Sequence, residues 1–143
     1  MSNRSYGQYC ALAKSLDLVG DRWTLLVVRE LLDGPKRYVD LLDGLVTMST
    51  DMLASRLRGL EDAGLVTRRT LPPPGAVRVY ELTEAGAGLE AVIDAYVGWG
   101  RHLLAERGED EVVSPTWLVR AVRAFVRPDR PDVDLTVRYE MPE

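Results

Sequence analysis

The chain has 143 residues, 46% of them hydrophobic, which suits one globular domain with a short appendage. No apolar run approaches the roughly 18 residues of a membrane span, so we expect a soluble, cytoplasmic protein with no membrane partner. A single cysteine excludes an intrachain disulfide and a cysteine-type zinc site, and the only histidine, His102, has no ligand partner at metal spacing. We therefore expect no metal and no cofactor.

The distribution of charge matters more than its sum. A net charge of −4 argues at first sight against a nucleic-acid binder. Residues 34–80, however, hold seven basic side chains against five acidic ones, a local balance of +2. A locally basic face on an acidic protein is sufficient for phosphate contacts, with an affinity that depends strongly on salt.

The first predicted helix carries Leu12, Leu16 and Val19 on one face. A short helix is then predicted over residues 37–42, ended by Asp43 and Gly44, and residues 45–48 link it to the next element. Helix, tight connection and second helix is the order of a helix-turn-helix.

Residues 49–63 predict the recognition helix. Leu53, Leu57 and Leu60 form its buried face, Ser49 is a suitable N-cap, and Gly64 follows as a stop signal. Short polar side chains and an arginine on the opposite face are what a major groove admits, although a merely solvated face has the same pattern. The candidates for contact with base edges are Thr50, Asp51, Ser55 and Arg58.

Two β-rich runs follow, at residues 66–70 and 77–82, and a loop with three consecutive prolines separates them. A basic hairpin after a helix-turn-helix predicts a winged helix, mainly α with a β-hairpin wing (α+β). Arg56 is ambiguous, because its helical angle suits either a phosphate or an internal carboxylate. The candidates for phosphate contact are Lys36, Arg37, Ser49, Arg56, Arg68, Arg69 and Arg78.

An enzyme is the weaker alternative. Residues 86–91 match the dinucleotide-binding pattern G-x-G-x-x-A. That fold needs a second parallel strand with an acidic residue at its end, whereas this chain continues in helical period through Arg101. Thr83 is instead a helix N-cap, and the sequence contains no nucleophile and base or metal constellation.

The next helix has an apolar stripe too wide for a small domain to cover. Packing the first and this later helix across a two-fold axis would place two recognition helices one DNA turn apart, about 34–36 Å. The alternative is that these apolar residues form a core within one chain. The predicted dimer-interface residues are Leu12, Leu16, Val92, Ile93, Tyr96, Trp99 and Leu103.

The C-terminal part, residues 106–143, is predicted as an extension to a first domain of residues 1–105. An acidic linker leads to an amphipathic helix at residues 115–126, with Trp117, Leu118, Ala121, Val122 and Phe125 facing inward. Residues 133–139 then alternate like a half-buried strand.

Several motifs together resemble the HxlR family of bacterial winged helix-turn-helix regulators. They are residues 9–11 (YCA), 16–26 (LDLVGDRWTLL), 29–38 (RELLDGPKRY), 52–61 (MLASRLRGLE), 64–66 (GLV) and 80–86 (YELTEAG). The resemblance covers residues 6–104, with Ala11 where the family commonly has proline. It implies a homodimer that binds a palindromic double-stranded DNA operator, most often as a repressor.

The resemblance also implies two ways of control. A cysteine at the position of Cys10 senses oxidants or electrophiles in many such regulators, whereas a free cysteine is otherwise usually a small buried hydrophobe. Some relatives continue past a tail like this one into a domain similar to sterol carrier proteins, which implies a small apolar effector. A winged helix that docks on proteins, without specific DNA binding, is the alternative function.

Overall fold

The computed structural model describes residues 5–104 and 108–125. Its helices are α1 Ala11–Val19, α2 Thr24–Leu32, α3 Tyr38–Gly44, α4 Thr50–Asp62, α5 Glu84–Ala87, α6 Glu90–Gly100 and α7 Pro115–Phe125, and its strands are β1 Val66–Thr70 and β2 Arg78–Leu82. No helix in these two ranges is long and apolar enough to cross a bilayer. The strand predicted at residues 133–139 lies outside the described residues.

The limits of α4 follow from its capping residues, as the sequence predicts. The Ser49 hydroxyl accepts the backbone N–H of Met52 at 3.3 Å, which satisfies one free donor of the first turn. Gly64, with φ of +69°, takes the left-handed conformation that ends the helix after Ala63. Thr83 caps α5 in the same way, accepting the N–H of Gly86 at 3.1 Å.

The predicted end of α3 is wrong. The helix does not stop before Gly44 but includes it, and Leu45 is its C-cap. A Cβ at position 44 would stand 2.8 Å from Oε2 of Glu30, so the glycine allows α3 to approach α2 closely. Tyr38 then donates its hydroxyl to the Thr50 carbonyl oxygen at 2.6 Å, which joins α3 to the first turn of α4.

The hairpin is antiparallel, and its register runs from Val66 opposite Leu82 to Thr70 opposite Arg78. Its second strand begins at Arg78, one residue later than predicted. Lys36, ahead of α3, extends the pairing through backbone hydrogen bonds with Tyr80 at 3.0 and 2.8 Å. The base of the hairpin is therefore fixed to the connection between α2 and α3.

The core lies where α2, α4 and the start of the hairpin meet. Its largest fully buried side chains are Leu41, Leu53, Leu57, Leu60, Val27 and Val28. Ile93 of α6 also belongs to this cluster, with 5% of its surface exposed. These contacts hold α4 rigidly, with one face in the core and the other in solvent.

Helix α7 packs on α6, and two of its side chains fix its position: Trp117 contacts α2, and Arg120 pairs with α6. Trp117 donates its indole N–H to Glu30 of α2 at 2.8 Å, and the Arg29 guanidinium lies 4.1 Å from the centre of its ring. Arg120 pairs with Glu90 at 3.1 Å and Asp94 at 3.4 Å. The predicted inward residues of α7 are all half-buried, while Arg120 is the buried one, at 9% exposure.

Candidate nucleic-acid interface

The exposed face of α4 carries the four predicted base-contacting residues together. Thr50, Asp51, Ser55 and Arg58 are all exposed, whereas the leucines of the opposite face are buried. Arg58 forms no ion pair with any residue in the described ranges. Its guanidinium is therefore available for a bidentate contact, either with guanine or with phosphate.

Arg56 is engaged inside the chain. Its Nε donates to the Arg22 carbonyl oxygen at 2.9 Å, and Nη1 lies 3.4 Å from Oδ2 of Asp21. These contacts tie α4 to the segment before α2. Of the two roles that its helical angle allowed, the geometry favours the internal one over the predicted phosphate contact.

Three arginines of the hairpin line a shallow concavity with Thr70. Arg68 is paired with Glu61 at 2.7 Å and Arg69 with Glu81 at 2.8 Å, while Arg78 has no partner in the described part of the chain. Exposed pairs of this kind contribute only about 0–1 kcal/mol. A phosphate can therefore replace either carboxylate at little energetic cost.

The two remaining basic candidates, Lys36 and Arg37, are both paired. Lys36 is half-buried and donates to Oε2 of Glu30 at 3.0 Å. Arg37 is exposed and contacts Asp40 at 2.7 Å; the hydrogen bond between them raises the pKa of Arg37 and lowers that of Asp40. Lys36 is thus mainly a structural cation, and Arg37 remains near the surface beside α3.

Cys10 is exposed and immediately precedes α1, so the alternative of a buried hydrophobe is wrong for the single chain. The backbone N–H groups of Ala13 and then Leu12, in the first turn of α1, lower the pKa of its thiol below the ordinary value. The charge of Lys14, one turn along α1, does not contribute to this shift. The lowered pKa favours the thiolate form of Cys10.

Most of the predicted dimer residues are exposed apolar side chains on α1, on α6 and just after α6. Trp99 is 70% exposed, and Leu16 is half-buried. Ile93 is a correction: it points into the core of its own chain, because the α6 face that packs on α2 includes it. The exposed members are Leu12, Val92, Tyr96, Trp99 and Leu103.

Sequence reasoning missed Tyr38 and Glu30 as residues that position the interface. Both lie in the motif at residues 29–38 that carries the family resemblance, but neither residue type by itself indicates a positioning role. In the dinucleotide-like pattern, Gly86 packs against the Leu65 carbonyl oxygen, and no parallel strand follows in the described residues. Gly86 therefore lies at a close contact between the start of α5 and the segment before β1.

A helix-turn-helix followed by a basic hairpin defines a winged-helix DNA-binding protein. The profile of the HxlR-like helix-turn-helix family matches residues 18–108. The chain therefore belongs to the HxlR family of DNA-binding transcriptional regulators. This family consists of regulators, not enzymes.

Individual relatives support the same assignment to a family of transcriptional regulators. The regulator YodB of Bacillus subtilis is 36% identical over 88 residues, which are 62% of this chain and 79% of YodB. An uncharacterized HTH-type regulator of Mycobacterium bovis is 38% identical over 104 residues, 73% of this chain and 64% of that protein. The structure of reduced YodB superposes with a TM-score of 0.58 at 35% identity, covering 71% of this chain and all of YodB.

A redox regulator is similar in structure as well. HypR in its oxidized form superposes with a TM-score of 0.60 at 28% identity, and the match covers 69% of this chain and 99% of the HypR chain. YodB has also been solved bound to a quinone, with a TM-score of 0.55 at 33% identity, covering 64% of this chain and 96% of that one.

Proposed function

We propose that this regulator reads a specific palindromic operator as a homodimer and represses transcription, with Cys10 as its switch. The observation that carries the proposal is the exposed polar face of α4 beside a hairpin lined by three arginines. Thr50, Asp51, Ser55 and Arg58 would contact base edges from the major groove. Phosphate contacts would then set the orientation of the helix.

The phosphate contacts fall to two groups. The hairpin arginines would lie along one strand of the duplex, and Arg37 with Ser49 would contact it near the N-terminus of α4. Arg68 and Arg69 would exchange their carboxylate partners for phosphates as the complex forms. Because these cations displace counterions, affinity would fall steeply as salt is added.

Dimerisation would use the exposed apolar surface of α1 and α6. Large side chains such as Tyr96 and Trp99 are rarely left this exposed over a contiguous area on a monomer. A symmetric pairing buries the same surface on both chains and relates two α4 helices by a two-fold axis. Such a dimer fits inverted half-sites one helical turn apart.

Control through Cys10 is supported by its exposure and its lowered pKa. The thiolate would add to a ring carbon of a quinone; one ring oxygen would take a proton from solvent, and the hydrogen of the attacked carbon would pass to the other oxygen, giving the S-aryl hydroquinone. Alternatively, diamide would take two electrons and two protons from two Cys10 thiols of a dimer and become the hydrazine, leaving an intersubunit disulfide. Either product changes the residue immediately before α1, the helix that carries part of the proposed dimer surface.

The direct test is a gel shift with the DNA immediately upstream of the gene for this protein. A shift that survives excess random competitor would establish sequence-specific binding and provide an operator for tests of quinone and diamide. Absence of any shift at low salt would contradict the proposal and favour a winged helix that docks on proteins.

A further inference from the structure

A cavity of about 500 Å³ lies between the end of α6, residues 110–113 and the connection from α3 to α4. Its volume lies in the range of small-molecule sites, about 300–1,000 Å³. Most of its wall is apolar, contributed by Val46, Leu103, Leu104, Val112, Val113 and Trp117. An apolar ligand body would be desolvated there against side chains that, apart from the half-buried Trp117, are exposed in the single chain.

The polar part of the lining has one sign. Asp110 and Glu111 supply carboxylates, and no lysine, arginine or histidine of the described residues lines the cavity. Glu111 accepts the backbone N–H of Gly108 at 2.9 Å, so Asp110 is the carboxylate we assign to a ligand. Charge complementarity then selects a cation with an apolar body over a neutral or anionic compound.

The cavity also touches the segment that orients α4. Val46 and Thr47 precede the Ser49 cap, and Thr47 has φ of 70°, a left-handed conformation that β-branched residues rarely adopt. A small change of backbone at Thr47 would tilt the start of α4. The connection is thus both strained and in contact with the cavity.

Trp117, another residue of the cavity wall, is connected to the hairpin through a chain of contacts. The Trp117 indole N–H donates to the Glu30 carboxylate at 2.8 Å, and the Lys36 ammonium donates to the same carboxylate at 3.0 Å. The backbone of Lys36 in turn pairs with Tyr80 of β2. A ligand against Trp117 would therefore act on the base of the hairpin while it acts on α4. The cavity is thus linked to α4 through the connection at Thr47 and to the hairpin through Trp117, Glu30 and Lys36.

We propose that this cavity binds a small hydrophobic cation and that its occupancy changes the position of α4 relative to the hairpin, and with it operator affinity. The second half of this inference rests on the proposed function, and the first half does not. The ligand class is an apolar, preferably aromatic, body with one positive charge.

The test compares two ions of nearly the same shape and opposite charge, tetraphenylphosphonium and tetraphenylborate, by equilibrium dialysis against the full chain. We expect one saturable phosphonium site per chain and binding of the borate that is weaker by about tenfold or more. Equal binding of the two ions would overturn the assignment. So would the lack of saturable uptake of either ion, which is the result if a second copy of the chain closes the cavity.

Two variants locate the site, and a third is the control. Asp110→Asn should lower phosphonium affinity by about tenfold, and Val113→Arg should abolish phosphonium binding and raise borate binding. Asp62→Asn, at an exposed acid at the end of α4, is the matched control and should change neither. Equal effects of Asp110→Asn and Asp62→Asn would show general surface charge and overturn the site.

Operator affinity is then measured with and without phosphonium. If phosphonium changes the operator affinity of the wild type but not that of Asp110→Asn, the coupling between the cavity and α4 is supported. If operator affinity is unchanged when the phosphonium site is saturated, the coupling is overturned. If the protein fails to bind DNA specifically, the dialysis result still decides the ligand site. Failure of the proposed function and failure of this inference are thereby distinguished.

Discussion

The indole nitrogen of Trp117 donates to Oε1 of Glu30, 87 positions earlier in the chain, at 2.8 Å. The same carboxylate receives Arg29 at 2.9 Å and Lys36 at 3.0 Å, and only 3% of the Glu30 residue is exposed. A carboxylate buried this deeply is tolerated because each of its two oxygens accepts at least one hydrogen bond, from Arg29 and Trp117 on Oε1 and from Lys36 on Oε2. Glu30 thus joins α7, α2 and the base of the hairpin.

Replacing Trp117 by Phe should lower the free energy of unfolding by about 1.5–3 kcal/mol, because a hydrogen bond to a charged acceptor is lost while the ring is kept. Urea denaturation measures the change. Val119→Ala, at an exposed position of the same helix, is the control and should stay within about 0.5 kcal/mol of wild type. Equal stabilities of Trp117→Phe and wild type would mean that α7 is not anchored through Glu30.

The stability of the protein should fall with acid through Glu30. Burial alone would raise the pKa of this carboxyl, but hydrogen bonds from Lys36 and Trp117, with the nearby charges, lower it below the ordinary 4.5. A depressed folded-state pKa gives stability that is present above the unfolded value and is lost as the pH falls through the folded one. The loss should therefore begin near pH 4.5 and continue below it.

Glu30→Gln tests this origin. Its unfolding free energy at pH 7 should be lower by about 1–3 kcal/mol, since the cations lose their partner, and its dependence on pH below 4.5 should be flatter. Glu109→Gln, at an exposed linker position, should keep the dependence of the wild type. Parallel curves for Glu30→Gln and wild type would assign the acid sensitivity to other carboxyls.

Arg58→Ala should reduce discrimination between operator and random DNA by about 1–3 kcal/mol, because its guanidinium is the exposed cation on the reading face of α4. Arg69→Ala should weaken both complexes alike and lower the slope of affinity against salt by about one. Fluorescence anisotropy at several salt concentrations separates the two effects. Equal losses on both DNAs would remove Arg58 from the residues that read bases.

Cys10→Ser should abolish any release of DNA by a benzoquinone or by diamide, since no other thiol exists in the chain. The rate of alkylation of Cys10 should rise at lower pH than that of an unstructured peptide thiol, because backbone N–H groups lower its pKa. Lys14→Ala should leave that profile unchanged. A Cys10→Ser protein that still responds would rule out the thiol.

Trp99→Asp should give a particle near the monomer mass of 16.0 kDa, where the wild type is expected at twice that mass by light scattering. A carboxylate at the centre of an apolar interface is buried without a partner in the dimer. Arg58→Ala is the control, because it lies on the DNA face and should remain dimeric. A monomeric wild type at micromolar concentration would contradict the dimer.

Local sequence signals were sufficient for most of the fold. Ser49, Thr83 and Gly64 mark helix ends through chemistry that acts over a few residues, and they do so in the structure. Gly44 failed as a stop signal because its role is set by contact with Glu30, on another helix. Long-range packing of this kind leaves no local pattern.

The interface was predictable in outline only. Helical period placed Arg58 on the open face, but period alone could not decide that Arg56 is occupied by Arg22 and Asp21. The same limit applied to Ile93, whose direction depends on which face of α6 packs on α2. For α7, an amphipathic pattern found the helix and missed its buried arginine.

The most direct measurement is a DNase footprint of the protein on the DNA upstream of its own gene. The account predicts two protected inverted half-sites, with centres about 10–10.5 base pairs apart, that compete successfully against random DNA. Protection that spreads evenly along the fragment and disappears with random competitor would contradict sequence reading by α4.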